Sequence, residues 1–167
     1  MRQYGQAAEH REPTGAQETA GMASLVFRAG PLLCALRLDE VVETMRPLET
    51  RPLAGTPPFV RGVSVLRGVP TPVIDVARLL GGGPAEVRRY VAVRTERGPV
   101  ALAIGPVLGV RVVDADAATG HPALLGASSR LVAGVGTVGA EPLLLLQSMR
   151  AVPDEVWEAA AEASVPS

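Results

Sequence analysis

Few side chains in this sequence have the types and spacing that chemistry requires. Two histidines, one cysteine and sixteen basic residues are present, and every basic residue is arginine. The absence of lysine excludes a phosphate-binding Walker lysine, a Schiff base and a serine–lysine dyad, because each needs an amine that guanidinium cannot replace. Neither His10, in a polar N-terminal stretch, nor His121, before a proline, belongs to a set with metal-ligand spacing, so no metal is expected. Cys34 lies in an apolar run and reads as a small core residue; alone, it can form no internal disulfide. Ser128-Ser129 has no base nearby, and Gly81-Gly82-Gly83 lacks the lysine and Ser/Thr of a phosphate loop. No catalytic residue and no cofactor are therefore expected. The chemistry that remains is recognition.

Bulk properties narrow the partner. The 167 residues are 47% hydrophobic and 20% charged, with a net charge of −1. Nucleic acid or an anionic membrane would call for a basic excess, and aromatic residues at 3% are too few for a base-stacking platform. The densest basic stretch, Arg88-Arg89 with Arg94 and Arg97, lacks accompanying aromatic residues. Residues Met1–Gly21 are polar and carry no signal-peptide core. The longest uncharged apolar run, Pro99–Val110, is too short to span a bilayer. A cytoplasmic location with a reduced Cys34 is the expectation.

The elements that must position such a surface follow from short apolar runs between Gly, Pro and charged turns. Residues 1–22 read as a disordered tail, 23–152 as the folded domain and 153–167 as a C-terminal helix and tail. Leu25–Arg28 and Leu32–Leu38 predict a hairpin across Ala29-Gly30-Pro31, and Leu38–Thr44 a short helical turn. A connector through Pro47, Pro52, Pro57 and Pro58 is too proline-rich for a central strand. Val60–Leu66 and Val69–Val76 predict strands turned at Arg67-Gly68, with Asp75 capping the turn that follows. Tyr90–Thr95, Pro99–Ile104 and Val107–Val113 continue the series, Asp114–Ser129 is loop-like, and Leu131–Val138 with Leu143–Leu146 form a last hairpin. Asp154–Ala163 predicts a helix that packs Trp157 on the domain. Nine or ten short strands with little helix give an all-β barrel or sandwich.

Phe59-Val60-Arg61-Gly62-Val63-Ser64-Val65-Leu66-Arg67-Gly68, followed by Pro72-Val73-Ile74-Asp75-Val76, closely resembles the signature of the CheW family of bacterial chemotaxis adaptors. Leu25-Val26-Phe27 is similar to that family's first strand, Val41-Val42-Glu43 to its V-x-E segment, and Val132-Ala133-Gly134-Val135-Gly136 to its L-x-G-I-G strand. The similarity runs in order from about Ser24 to Val152. It implies two intertwined five-stranded SH3-like β-barrels and a non-catalytic scaffold. Such a scaffold joins the cytoplasmic tip of a chemoreceptor to the regulatory domain of a CheA-type histidine kinase.

The resemblance also implies which residues meet a partner. Arg67 is the first candidate, as the arginine of the V-L-R-G turn, and Glu43 is the acidic position of the V-x-E segment. Val41 would line a receptor groove, or simply pack in the core. Two positions depart from the family pattern: Val65 stands where the family has Asn, and Gly105, before Val107, where the second-barrel motif has an aspartate. Val65 and Gly105 therefore mark rim positions where specificity would differ, kinase coupling above all, and Val107 beside them is a partner-binding candidate that reads mostly as packing. Two other functions remain open: an adaptor that binds receptor without coupling to kinase, and a small nucleic-acid-binding β-barrel.

Overall fold

The computed structural model describes residues 21–113, 132–147, 154 and 156–158. The tail expected over residues 1–22 falls outside them except for its last two residues. Also outside are the loop expected over Asp114–Ser129, both histidines and Ser128-Ser129.

Short apolar runs, alternating in some strands and continuously buried in others, build ten strands: β1 (Met22–Ala29), β2 (Leu32–Arg37), β3 (Val41–Met45), β4 (Val60–Leu66), β5 (Val69–Asp75), β6 (Arg89–Thr95), β7 (Gly98–Ile104), β8 (Val107–Val113), β9 (Val132–Val138) and β10 (Glu141–Leu146). They form two five-stranded sheets, ordered β8-β1-β2-β10-β9 and β3-β6-β7-β5-β4. Each is an SH3-like barrel. The second is built from consecutive strands, whereas the first takes two strands from before it and three from after it. The expected intertwining is therefore a property of the connectivity.

The two barrels repeat one plan. Each has a single parallel pair, β2 with β10 and β5 with β7, in equivalent register: Leu146 opposite Leu36 and Ile74 opposite Leu102. Bulges recur at matching points, between Val60 and Gly62 and at the β9–β10 pair, and again where β1 meets β8 and β3 meets β6. A bulge puts one extra residue on a strand and raises its twist, which closes so small a barrel.

Three sequence expectations are refined. Leu38–Thr44 is helical only over Leu38–Glu40, as a 3-10 turn, before β3 begins at Val41. The acids start a local turn, but β-branched Val41 and Val42 together with pairing to β6 favour a strand. The last hairpin turns at Gly139-Ala140, and Glu141 and Pro142 already belong to β10. Prolines are tolerated in β5 and β10 for one shared reason. Pro70, Pro72 and Pro142 precede the stretches in which those strands gain their parallel neighbours, Val73–Asp75 and Leu144–Leu146. The proline-rich connector after β3 forms no strand; only Arg51 bridges Val63, through N–H···O contacts of 2.8 Å in both directions.

One cluster of buried side chains belongs to both barrels. Phe27, Cys34 and Leu36 from the first pack with Ile74, Val91, Val93, Leu102 and Ile104 from the second, joined by Val132, Leu146 and Val156. On the other face of the second sheet, Tyr90 packs with Val73, Ala101, Ala103, Met45 and Leu48. Its hydroxyl meets Thr50 Oγ1 at 2.6 Å, and Thr50 meets Ser64 Oγ at 2.8 Å. This satisfied polar chain clamps the connector to the sheet. Residues 154 and 156–158 are helical, and Trp157 packs against the shared core with the Arg97 guanidinium 5.9 Å from its ring centroid, as the sequence suggested.

Candidate partner-binding site

Site geometry starts at the β4–β5 turn. Two residues connect these strands, and both take positive φ, 51° at Arg67 and 80° at Gly68. That is the two-residue turn whose twist suits a hairpin, usually filled by Asn-Gly or similar pairs. Among the described residues Arg67 is the one non-glycine with positive φ. A β-carbon in this region costs about 1 kcal/mol, so the turn carries strain for the sake of the side chain it presents.

That side chain does not bond the carbonyls of its own turn. It reaches β3, where Nε donates to Glu43 Oε2 at 2.6 Å and Nη2 donates to Glu43 Oε1 at 2.8 Å. The pair is fork-to-fork, the strong geometry for guanidinium and carboxylate. Because β3 and β4 are the two outermost strands of their sheet, the pair ties the barrel's edges together. The hydrogen bonds and charge of Arg67 hold the Glu43 carboxyl below the usual carboxylate range. Arg67 is 76% exposed and Glu43 26%, so the guanidinium retains open faces for an incoming acceptor.

Aliphatic side chains flank the pair along the chain. Val65, two positions before Arg67, is 66% exposed, and Val42 and Val69 are each about half exposed. Sequence reasoning missed Val42 and Val69. The bulge between Val41 and Glu43 turns Val42 outward, and sequence does not reveal a bulge. The ensemble is a charged pair set among apolar surface, a composition suited to protein interfaces.

Other candidate positions lie elsewhere. Val41 and Val107 occupy equivalent places in the two barrels, and both pack against the shared core, half-buried. The core role left open for Val41 is the one that its packing supports. Gly105 is buried at the crossing from β7 into β8, not on a rim. Its N–H donates to the Arg28 carbonyl at 2.8 Å, and a β-carbon there would sit 2.9 Å from that same oxygen. The missing side chain at 105 therefore reflects a close backbone approach. Asp75 caps the one-turn helix Val76–Leu79 by accepting from the Arg78 N–H at 3.2 Å, as expected, and is buried with Arg61 at 3.6 Å.

Residues that could have signalled other functions are occupied by the fold. Burial pushes the Cys34 thiol up to about 12, which removes it as a nucleophile at neutral pH. Phe27 and Tyr90 are buried, and Phe59 and Trp157 pack against the core, so the described residues present no aromatic platform for bases. No cluster of three or more metal-ligating side chains occurs among the described residues, and none of their helices is long and apolar enough to cross a membrane.

Comparison with known proteins agrees with this architecture. The chain is 35% identical over 89 residues to the protein FrzA of Myxococcus xanthus, a match covering 51% of this chain and 55% of that relative. The chain thus spans about half the length of the curated relative it matches. Its fold resembles that of the scaffolding protein TtCheW from Thermoanaerobacter tengcongensis, with a TM-score of 0.67 and 21% identity over 77% of this chain and 90% of that one. Since the model of the CheW-like domain matches residues 23–155, nearly the whole described fold with both barrels and the Arg67–Glu43 pair, the chain belongs to the CheW-like domain family.

Proposed function

We propose that this protein is a non-catalytic cytoplasmic scaffold of a chemosensory array, joining a chemoreceptor's cytoplasmic tip to the regulatory domain of a CheA-type kinase. One observation carries the reading. The V-x-E and V-L-R-G segments, far apart in sequence, meet as an exposed bidentate pair on a surface of half-exposed valines. Arg67 and Glu43 recognise the receptor as a unit: the pair presents unused guanidinium donors while Val42, Val65 and Val69 supply apolar contact. An interface of this kind buries on the order of 800 Å² per partner, and multivalent assembly in an array strengthens it. Kinase coupling is the second half of the proposal, and it rests on family membership.

Calorimetry of the purified chain, once with a receptor cytoplasmic fragment and once with the kinase regulatory domain, tests the two halves separately. Receptor binding alone assigns an adaptor without kinase coupling, and binding to neither overturns the proposal. Arg67→Glu weakens receptor binding at least about fivefold, through lost donors and reversed charge. The swapped pair Glu43→Arg with Arg67→Glu separates recognition from barrel closure. It restores stability while leaving receptor binding weak if the partner reads these side chains. Full recovery of binding in the swap assigns the pair to the fold alone.

A further inference from the structure

Between the two barrels lies a groove of about 560 Å³, lined by Arg46, Arg88, Arg89, Pro47, Pro106 and Val107. In sequence Arg88-Arg89 is a sparse basic doublet and Arg46 is remote from it. The β3–β6 ladder brings them together. That ladder ends with Met45 opposite Tyr90, and Arg46 and Arg89 are the residues adjoining that last pair. The Arg88 N–H donates to the Ile104 carbonyl at 2.8 Å, which fixes the third guanidinium's backbone beside the same crossing.

Charge balance at this place is poor. Among the described residues Arg88 has one acidic partner, Glu86 at 3.1 Å, and neither Arg46 nor Arg89 has an ion pair. Elsewhere among the described residues Arg28 pairs with Glu141, Arg37 with Asp39, Arg67 with Glu43 and Arg97 with Asp154, while Arg51, Arg94 and Arg111 also have no ion pair but do not line this groove. In a chain of net charge −1, three guanidiniums around one concavity with a single local acid form a concentrated positive site. Its remaining walls, Pro47, Pro106 and Val107, are stiff and apolar. The volume holds two or three side chains, and among the described residues no aromatic side chain lines it.

We propose that this groove docks an acidic segment of a partner protein, in which carboxylates alternate with aliphatic side chains. The carboxylates take the Arg46 and Arg89 forks, and an aliphatic neighbour packs on Pro106 and Val107. A planar fork bonds carboxylate in two places, so the geometry favours paired acids over a single one. The surface is distinct from the Arg67–Glu43 pair. Glu43 lies on the face of β3 shared with Met45, and alternation along the strand sends Arg46 to the other. The inference goes beyond the scaffold reading and does not depend on which partner Arg67 contacts.

Fluorescence anisotropy with the full chain decides it. The probes are a labelled peptide of alternating Glu and Leu and the same peptide with Gln in place of Glu. The Glu peptide binds at least about tenfold more tightly than the Gln peptide, and added salt weakens it. Arg46→Gln with Arg89→Gln removes that preference, while Arg67→Gln leaves it intact. Arg94→Gln with Arg111→Gln removes equal charge elsewhere and serves as the control. Failure of the Glu peptide to bind overturns the proposal, as does equal binding of both peptides or unchanged affinity in the Arg46 and Arg89 variant. An equal loss in the control also overturns it, by assigning the effect to overall charge. Circular dichroism of each variant confirms that the fold is retained.

Discussion

Arg67 holds a conformation that most residues avoid, and it does so to hand a carboxylate partner two donors. Its neighbour Glu43 makes the arrangement measurable. The carboxyls of Glu43 and Glu141 are both held below their ordinary value of 4.5, in each case first by hydrogen bonds from an arginine, Arg67 and Arg28 respectively. The unfolded chain therefore binds these protons more readily than the folded one does. Stability from the two pairs is present in full above about pH 4.5 and is lost as pH falls through the depressed values. Urea midpoints followed from neutral pH to about pH 3 decline, and Glu43→Gln flattens part of that decline. Because both pairs are exposed, high salt shrinks the effect. An identical acid slope in Glu43→Gln contradicts the linkage.

Strands and turns were legible where local chemistry decides them. The Arg67-Gly68 turn, the Asp75 cap and the β1–β2 hairpin follow from residue types alone. The Arg67–Glu43 contact was not legible, because barrel closure makes it and sequence spacing does not show closure. Gly105 misled for a related reason: a glycine in a rim motif looks like a lost contact until the Arg28 carbonyl is seen against it. Gly62 shows the same constraint more strongly. Its φ is 140°, and a β-carbon would fall 2.0 Å from the Arg51 carbonyl oxygen, in the bridge that anchors the connector. Gly62→Ala therefore destabilises by roughly 2–4 kcal/mol in urea unfolding. Gly68→Ala, with positive φ but open space around it, costs only about 1 kcal/mol. Equal losses for the two variants argue against the close approach.

At the scale of the molecule, one core lies under both barrels, with Phe27 and Leu36 packed among Ile74, Val93 and Leu102. Each barrel also packs a smaller cluster of its own, Val26, Leu33, Ala35 and Leu143 in the first and Val73, Tyr90, Ala101 and Ala103 in the second, but the largest cluster is the one they share. Calorimetric unfolding accordingly gives one transition, its measured enthalpy equal to the van't Hoff value; two resolved transitions show instead that the smaller clusters hold each barrel independently. All-β character and strand number were readable from turn spacing, whereas the repetition of bulges and parallel pairs in both barrels emerged only in three dimensions. The order of assembly follows from the same interleaving. β1 and β2 leave the ribosome first, yet their partners β8, β9 and β10 are synthesised after the whole second barrel. The early hairpin must wait, its apolar residues uncovered, while the contiguous β3–β7 unit closes from nearer contacts. Nascent chains halted before β8 are thus the species most exposed to aggregation and to chaperone capture, and synthesis speed between β2 and β8 sets how long that exposure lasts.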